Sequence, residues 1–101
     1  NFKCSLKKMN VFKGVQRWCE DNFLYPDARN VHLLTNGTTA FSVTWLGPQG
    51  NFILHSQCAS ADYCEVNYLV WFPFNALQRS KTQYFSNVHY ALEYVKNFLK
   101  L

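Results

Sequence analysis

Residues 33–45, LLTNGTTAFSVTW, carry the strongest local structural signal in the chain. Asn36 and Gly37 lie between two β-prone runs, and Gly accepts the positive φ of a hairpin turn because it has no Cβ. The run after the turn alternates between apolar residues and smaller or polar ones. The apolar positions of that run are Phe41, Val43 and Trp45. The stretch therefore predicts an antiparallel hairpin with one buried face.

The length of the hairpin loop can be argued from the two faces. A two-residue loop would place His32 opposite Phe41 and mix polar with apolar faces. A three-residue loop at 35–37, with Gly37 as a bulge residue, pairs Val31 with Phe41 and keeps the apolar side chains of both strands together. We therefore expect the three-residue loop.

The sequence beyond the hairpin predicts that the sheet continues as a β-meander. Residues 47–50, GPQG, indicate a second turn, and residues 51–56 alternate as a third strand. A weaker fourth strand is expected within 60–64. A fifth is expected within 68–72, where Pro73 ends the pairing.

The last of these strands is apolar on both sides. One side holds Tyr68, Val70 and Phe72, and the other holds Leu69 and Trp71. Only one side can pack against the helices of the same domain, so the other side, if exposed, is a candidate partner surface. Trp71 is therefore predicted to bind a partner.

Two amphipathic helices are predicted to flank the strands, at 9–22 and at 84–101. Each places its apolar side chains within an arc of about 140° and most of its charged side chains outside it. Residues 1–8 are expected to be a loose lead-in, because Lys8 would interrupt the apolar stripe of the first helix. Pro26 and its neighbours are expected to end that helix, since proline disfavours the helical conformation at the residue before it.

The order of these elements predicts an α+β fold. It comprises an antiparallel β-meander of five or six strands, at 31–74, packed by a long C-terminal helix and preceded by an extra N-terminal helix. A chain of 101 residues supports one hydrophobic core, so a single domain is expected at 9–101.

Composition and charge disfavour several classes of protein. The net charge is +4 and the basic residues are scattered, which disfavours nucleic-acid binding and leaves acidic protein segments as partners. There is neither the apolar run of about 20 residues that a membrane helix needs nor a targeting signal. A cytoplasmic protein with no membrane association is expected.

The chain has four cysteines, Cys4, Cys19, Cys58 and Cys64, with no C-x-x-C pair among them. Buried free thiols are expected, because most of the cysteines lie beside apolar residues. A zinc site from His55, Cys58 and Cys64 lacks the fourth ligand of a structural site. Two disulfides in a secreted domain are the other alternative. No metal or cofactor is predicted.

No catalytic constellation can be found in the sequence. The three histidines have no carboxylate at motif spacing, and there is no nucleophile elbow, P-loop or dinucleotide fingerprint. A non-catalytic role is therefore expected. The alternative is a small α+β enzyme or ligand-binding domain, with an aromatic pocket between the sheet and the C-terminal helix lined by Trp45, Tyr68 and Trp71.

The Asn-Gly hairpin, the aliphatic third strand, the weaker strands and the helix at 84–101 together resemble a polo box, the C-terminal module of polo-like kinases. The resemblance covers residues 31–101. It implies a protein-binding and dimerisation module, part of a serine/threonine kinase chain, which localises the kinase to centrosomes, centrioles or kinetochores during the cell cycle.

One class of polo boxes reads phosphopeptides with a His and a Lys just before the third strand. The matching positions here hold Gln49 and Asn51, so the charge-assisted grip on a phosphate would be lost. The resemblance is therefore to the divergent polo boxes of the centriole-duplication branch, which look like dimerisation and scaffold-docking devices.

A second, smaller apolar line on the C-terminal helix consists of Tyr90, Tyr94 and Leu101. It lies outside the main apolar arc and is predicted to face solvent. We expect protein partners to bind through this line, through an open strand edge, or through both. The expected partners are a second copy in a homodimer and acidic segments of a centriole or kinetochore scaffold.

Overall fold

The computed structural model describes residues 2–33, 41–58 and 66–101. The elements in that part of the chain are α1 (Phe2–Asp21), β1 (Tyr25–Leu33), β2 (Phe41–Gly47), β3 (Gly50–Cys58), β4 (Val66–Phe72), β5 (Lys81–Phe85) and α2 (Val88–Leu99). The strands form one antiparallel sheet in the order β1-β2-β3-β4-β5. The predicted α+β fold, a meander with a helix at each end, is confirmed.

Both helices contribute to one core on the same side of the sheet, which we call the inner face. The buried residues of the strands on this face are Phe41, Val43 and Trp45 of β2, Phe52, Leu54 and Ser56 of β3, and Tyr68, Val70 and Phe72 of β4. The helices add Val15 and Cys19 from α1, and Ala91, Leu92, Val95 and Leu99 from α2. The alternation predicted for these strands is confirmed.

The register between β1 and β2 differs from the predicted one. Val31 pairs with Val43 and Leu33 pairs with Phe41, whereas the three-residue loop required Val31 opposite Phe41. A shift of two residues keeps every side chain on its own face, because the side-chain period of a strand is two. The inward residues of β2 were therefore predicted correctly although the pairing was wrong. The loop itself lies outside the described residues, as does the strand expected within 60–64.

β1 begins at Tyr25, well before the predicted start at Val31. Its register against β2 shifts between Pro26 and Val31. In this interval the Asp27 carboxylate accepts hydrogen bonds from the Arg29 N–H at 3.1 Å and from the Asn30 side chain at 2.8 Å. This local turn makes the strand bulge and interrupts its alternation, so the sequence pattern did not show the strand.

α1 begins at Phe2, so the loose lead-in predicted at 1–8 is wrong for residues 2–8, which are helical. A helix adds further residues at little cost once it has formed, and Lys, Leu and Met are strong helix formers. A lysine in the apolar stripe therefore does not end the helix. Neither helix that the structure describes is long and apolar enough to cross a membrane.

α1 ends in a Schellman motif, not at Pro26. The Leu24 N–H donates to the Cys19 carbonyl at 2.8 Å, and the Phe23 N–H donates to the Glu20 carbonyl at 3.1 Å. Phe23 occupies the left-handed position of this motif, with φ 62°. Pro26 lies in β1 instead. The predicted helix end at residue 22 is within one residue of the observed end at Asp21, but proline is not what ends the helix.

The segment before α2 is a strand, where the sequence predicted a connection at 75–83 and a helix from Tyr84. α2 begins at Val88, and the Asn87 side chain caps it by accepting a hydrogen bond from the His89 N–H at 2.7 Å. Tyr84 and the next residue fit both helical and strand periodicity, so periodicity alone could not decide. The sheet consequently extends well beyond the predicted range 31–74.

Gln78, in the connection from β4 to β5, pins this segment to β3. Its side chain accepts from the Asn51 N–H at 2.8 Å and donates to the carbonyls of Asn51 and Pro73 at 2.8 and 2.7 Å. Gly50 makes this close approach feasible. Its φ is 138°, and a Cβ at that position would collide with the Gln78 side chain and with Leu99.

Candidate protein-interaction surfaces

The side of the sheet opposite the helices, which we call the outer face, carries no acidic residue, lysine or arginine on β2 to β5, four of its five described strands. None of the outward positions of these strands holds Asp, Glu, Lys or Arg. The described outward positions in order are Ser42, Thr44, Leu46, Asn51, Ile53, His55, Asn67, Leu69, Trp71, Thr82 and Tyr84. Because charged residues are depleted at the centres of protein interfaces and aromatic residues enriched, this composition is typical of a covered surface.

An apolar stripe crosses the outer face diagonally from β2 to β5. We call it the outer stripe; it consists of Leu46, Ile53, Leu69, Trp71 and Tyr84. Ile53 pairs with Trp71 and Leu69 pairs with Tyr84 across neighbouring strands. A cavity of about 270 Å³ opens on this face and is lined by Ser42, Ile53, His55, Leu69 and Trp71. Trp71 is 42% exposed and Tyr84 65% exposed, so part of the stripe is accessible to a partner.

The pocket predicted between the sheet and the C-terminal helix does not form as expected. Trp45 and Tyr68 are buried in the core on the inner face, whereas Trp71 lies on the outer face. The cause is the alternation of β4, which sends Tyr68 and Trp71 to opposite sides of the sheet. Burial raises the pKa of Tyr68. The aromatic residues assigned to a ligand pocket therefore do not face one space.

The predicted solvent-facing line on the C-terminal helix is also corrected. Only Tyr90 is well exposed, while Tyr94 and Leu101 pack against the core. The Tyr94 ring lies 5.2 Å from the ring of Phe85 and 5.6 Å from the Lys81 ammonium, measured to the ring centroid of Tyr94. β5, which the sequence did not predict, extends the sheet beneath this flank of α2 and covers Tyr94.

β5 is a sheet edge without a proline or a bulge within the part of the chain that the structure describes, and its one charged residue is Lys81 at its start. It pairs with β4 along its whole length without a register shift, contains no proline, and exposes four of its five residues. The opposite edge, β1, contains Pro26 and the register shift before Val31. Proline and bulges are devices that prevent edge strands from pairing with another chain. Only the β1 edge carries them.

Tyr90 is an exposed aromatic residue of α2, the helix that packs against β4 and β5. It lies one helical turn before Tyr94, whose ring contacts Phe85 at the end of β5. Tyr90 therefore lies on roughly the same side of α2 as Tyr94. We call the combination of the β5 strand edge and Tyr90 the β5 edge surface.

The positions that match the phosphate grip of polo boxes are uncharged in this fold. Gln49 is exposed in the turn between β2 and β3. Asn51 forms structural hydrogen bonds. Its backbone N–H and C=O bond the Gln78 side chain, and its side-chain oxygen accepts a hydrogen bond from the Gly47 N–H at 3.4 Å. These contacts give Asn51 a structural task.

Cys19 is the one cysteine whose side chain the structure describes, and it is a buried free thiol as predicted. Burial, and to a smaller extent the charge of Glu20, raises the pKa of this thiol. Within residues 2–33, 41–58 and 66–101, no group of three potential metal ligands is present. The zinc site considered for His55, Cys58 and Cys64 involves side chains outside the described set, apart from His55 on the outer face.

Several surface residues escaped the sequence-based prediction. Ile53 and Tyr84 belong to the outer stripe, but Ile53 was assigned only to a strand and Tyr84 to a helix. The alternation of the third strand places Ile53 on the same side as His55 and opposite Phe52, so a comparison of outward positions across strands would have revealed it. Asparagine is a preferred N-cap residue, so Asn87 before the helical pattern could have indicated that the helix begins after Tyr84.

Comparison of the chain with models of known protein families, with curated proteins and with solved structures gives no match. These comparisons therefore add no support to the polo-box resemblance.

Proposed function

We propose that this chain is a non-catalytic protein-interaction module that associates with a second copy of itself through the β5 edge surface. The observation that carries the proposal is the contrast between the two edges of the sheet. β1 contains a proline and a bulge, while β5 contains neither, pairs regularly with β4, and has a single charged residue, Lys81, at its end.

The β5 sequence is compatible with two-fold pairing. An axis perpendicular to the sheet through Gln83 pairs Lys81 with Phe85 of the second copy and Thr82 with its Tyr84. This register uses all five residues of the strand and keeps the inner and outer faces of the two sheets aligned. Neither pair places like charges opposite each other, and the β-branched Thr82 beside an aromatic ring is a favourable cross-strand pair.

The size of the contact predicts a weak dimer. Tyr84 and Tyr90 are each 65% exposed, and a tyrosine side chain buries roughly 150–250 Å² when fully covered. Together with the paired strand backbones, these side chains fall below the roughly 800 Å² per partner of a standard interface. A dissociation constant on the order of micromolar is expected.

The experiment that tests the proposal places charges on the two-fold axis. Gln83 is exposed, so both Gln83→Lys and Gln83→Glu are compatible with the fold. In a homodimer each variant puts two like charges opposite each other, and each is expected to be monomeric in sedimentation equilibrium at concentrations where the wild type dimerises. An equimolar mixture of the two variants is expected to dimerise again, because opposite charges then meet.

The matched control is Ala28→Lys, an exposed position on the β1 edge, which should leave dimerisation unchanged. The proposal is wrong if the wild type remains monomeric at millimolar concentration. It is equally wrong if both Gln83 variants dimerise like the wild type, or if their mixture fails to associate while circular dichroism shows both folded.

The kinase-localising role follows from the polo-box resemblance and remains part of the proposal. Its support is the α+β meander with a C-terminal helix and the net charge of +4, which suits an acidic scaffold segment. A fluorescently tagged chain is expected to colocalise with a centriole marker in dividing cells. A diffuse signal from a folded, expressed chain would count against the centrosome and centriole location, and would leave self-association as a separate question.

A further inference from the structure

We propose that the outer stripe is a docking site for an amphipathic α-helix of a partner protein. The stripe is flanked by uncharged polar residues on both sides, with Thr44 and His55 on one side and Asn51 and Thr82 on the other. A sheet face that contacts only water can carry charged side chains, so their absence from four strands favours a face that a partner covers. This inference concerns a second surface, which shares only Tyr84 with the β5 edge surface, and it does not depend on self-association.

The backbone chemistry of the outer face selects a helix as its occupant. Within the described residues, β2, β3 and β4 each pair with a neighbour on both sides, so their ladder groups are engaged within the sheet. An extended peptide lying across this face would leave its own N–H and C=O groups without partners. A helix satisfies its backbone internally and needs only apolar contacts from the surface.

The dimensions of the outer stripe match a helix of three to four turns. The stripe spans three strand spacings of about 4.8 Å and two side-chain repeats of about 6.8 Å along the strands, which gives a diagonal of roughly 20 Å. At 1.5 Å per residue a helix covers this length with about 13 residues. The cavity of about 270 Å³ beside Trp71 can accept one large apolar side chain of that helix.

A second copy of this chain fits the outer stripe less well than a helix does. The largest exposed residues of the stripe are Trp71, Tyr84 and Leu46, at 42%, 65% and 40% exposure. Together with the half-buried residues between them they offer roughly 400 Å², about half of what each partner contributes to a standard interface. Helix docking instead depends on a few anchor side chains spaced i, i+3, i+4 and i+7, which need no larger area.

The test uses a phage-displayed library of random peptides about 16 residues long, selected against the folded wild-type chain. The selected peptides are expected to share apolar residues at i, i+3, i+4 and i+7, and to gain helical circular dichroism on binding. Their affinity is expected to fall by at least about tenfold for Trp71→Ser, because Trp residues are frequent hot spots. Phe74→Ser, at a position 80% exposed outside the stripe, is the matched control and should bind like the wild type.

Leu69→Thr provides a second variant if Trp71→Ser does not fold, because threonine suits a strand and removes apolar area from the same stripe. The proposal is overturned if no peptide is enriched. It is also overturned if the enriched peptides have alternating patterns and lose binding with Gln83→Lys but not with Trp71→Ser. That outcome would assign recognition to strand addition at β5. Retained binding by both stripe variants would likewise exclude the outer stripe.

Discussion

Gln78 holds Asn51 by both groups of its backbone: its side-chain oxygen accepts from the Asn51 N–H, and its side-chain nitrogen donates to the Asn51 carbonyl, each at 2.8 Å. The side-chain amide of Gln78 thus forms the two backbone hydrogen bonds with Asn51 that a neighbouring strand would otherwise form at this end of β3. A further bond to the Pro73 carbonyl at 2.7 Å ties the same side chain to the segment after β4. One amide therefore connects β3, the end of β4 and the connection to β5.

Replacing Gln78 by Ala should lower the free energy of unfolding by about 2–3 kcal/mol, because three hydrogen bonds are lost and partly buried backbone groups are left unpaired. Urea denaturation measures the change. Gln49→Ala, at an exposed glutamine in the turn between β2 and β3, is the control and should change stability by less than about 0.5 kcal/mol. If Gln78→Ala changed the free energy of unfolding as little as the control variant does, solvent would be replacing the three hydrogen bonds of the Gln78 side chain.

Phe23→Gly should stabilise the protein by about 1 kcal/mol, because a left-handed residue with a Cβ is strained and glycine is not. The Phe23 ring is 67% exposed, so its removal costs little apolar contact. Phe23→Ala is the informative control, since it removes the ring but keeps the Cβ. Thermal unfolding should rank Gly above Ala; equal stability of the two variants would contradict the cap argument.

Tyr94→Phe should raise the free energy of unfolding by about 1 kcal/mol. The Tyr94 hydroxyl is buried and finds no hydrogen-bond partner among the described residues, while its ring packs against Phe72 and Phe85. Removing the hydroxyl keeps the ring contacts and removes the free-energy cost of burying a polar group without a hydrogen-bond partner. Tyr90→Phe, on the exposed part of α2, should change nothing measurable by urea denaturation. A loss of stability in Tyr94→Phe would mean that the hydroxyl is bonded.

The buried thiol of Cys19 predicts a loss of stability at alkaline pH. Its pKa is raised above the ordinary value of 9.0, mainly by burial, so the folded state keeps its proton where the unfolded chain loses it. The contribution is fully present below the unfolded pKa and declines above it, by up to about 1.4 kcal/mol per pH unit. Urea denaturation of wild type and Cys19→Ala across this range should show a constant difference below about pH 8.5 and a shrinking one above it. A difference that stays constant at alkaline pH would contradict this.

The inward-facing residues of the sheet could be predicted because alternation depends only on a period of two. Phe41, Val43 and Trp45 were assigned to the core although their pairing with β1 was predicted two residues away from its actual register. Similarly, the apolar character of both sides of β4 predicted that one of its sides faces away from the helices, although it did not decide between the Tyr68 side and the Trp71 side. Patterns within one strand were sufficient for these conclusions.

The remaining features depend on residues distant in the sequence. The Gln78 side chain bonds Asn51, which lies 27 positions away in the sequence, so no local pattern predicts these hydrogen bonds. Tyr94 has the helical position of a solvent-facing residue, and only the presence of β5 beneath it makes it part of the core. The start of β1 was hidden because Asp27 bonds two nearby residues and interrupts the alternation that identifies a strand.

The turn around Asp27 has a consequence for how large an assembly of this protein can become. Strand addition propagates indefinitely when both edges of a sheet accept a neighbour, which is the geometry of a fibril. Here the bulged β1 edge ends growth on one side, so pairing through β5 consumes the available edge in both copies. If the chain self-associates as proposed, assembly through β5 stops at two chains and joins the five described strands of each copy into one sheet with a blocked strand at each end.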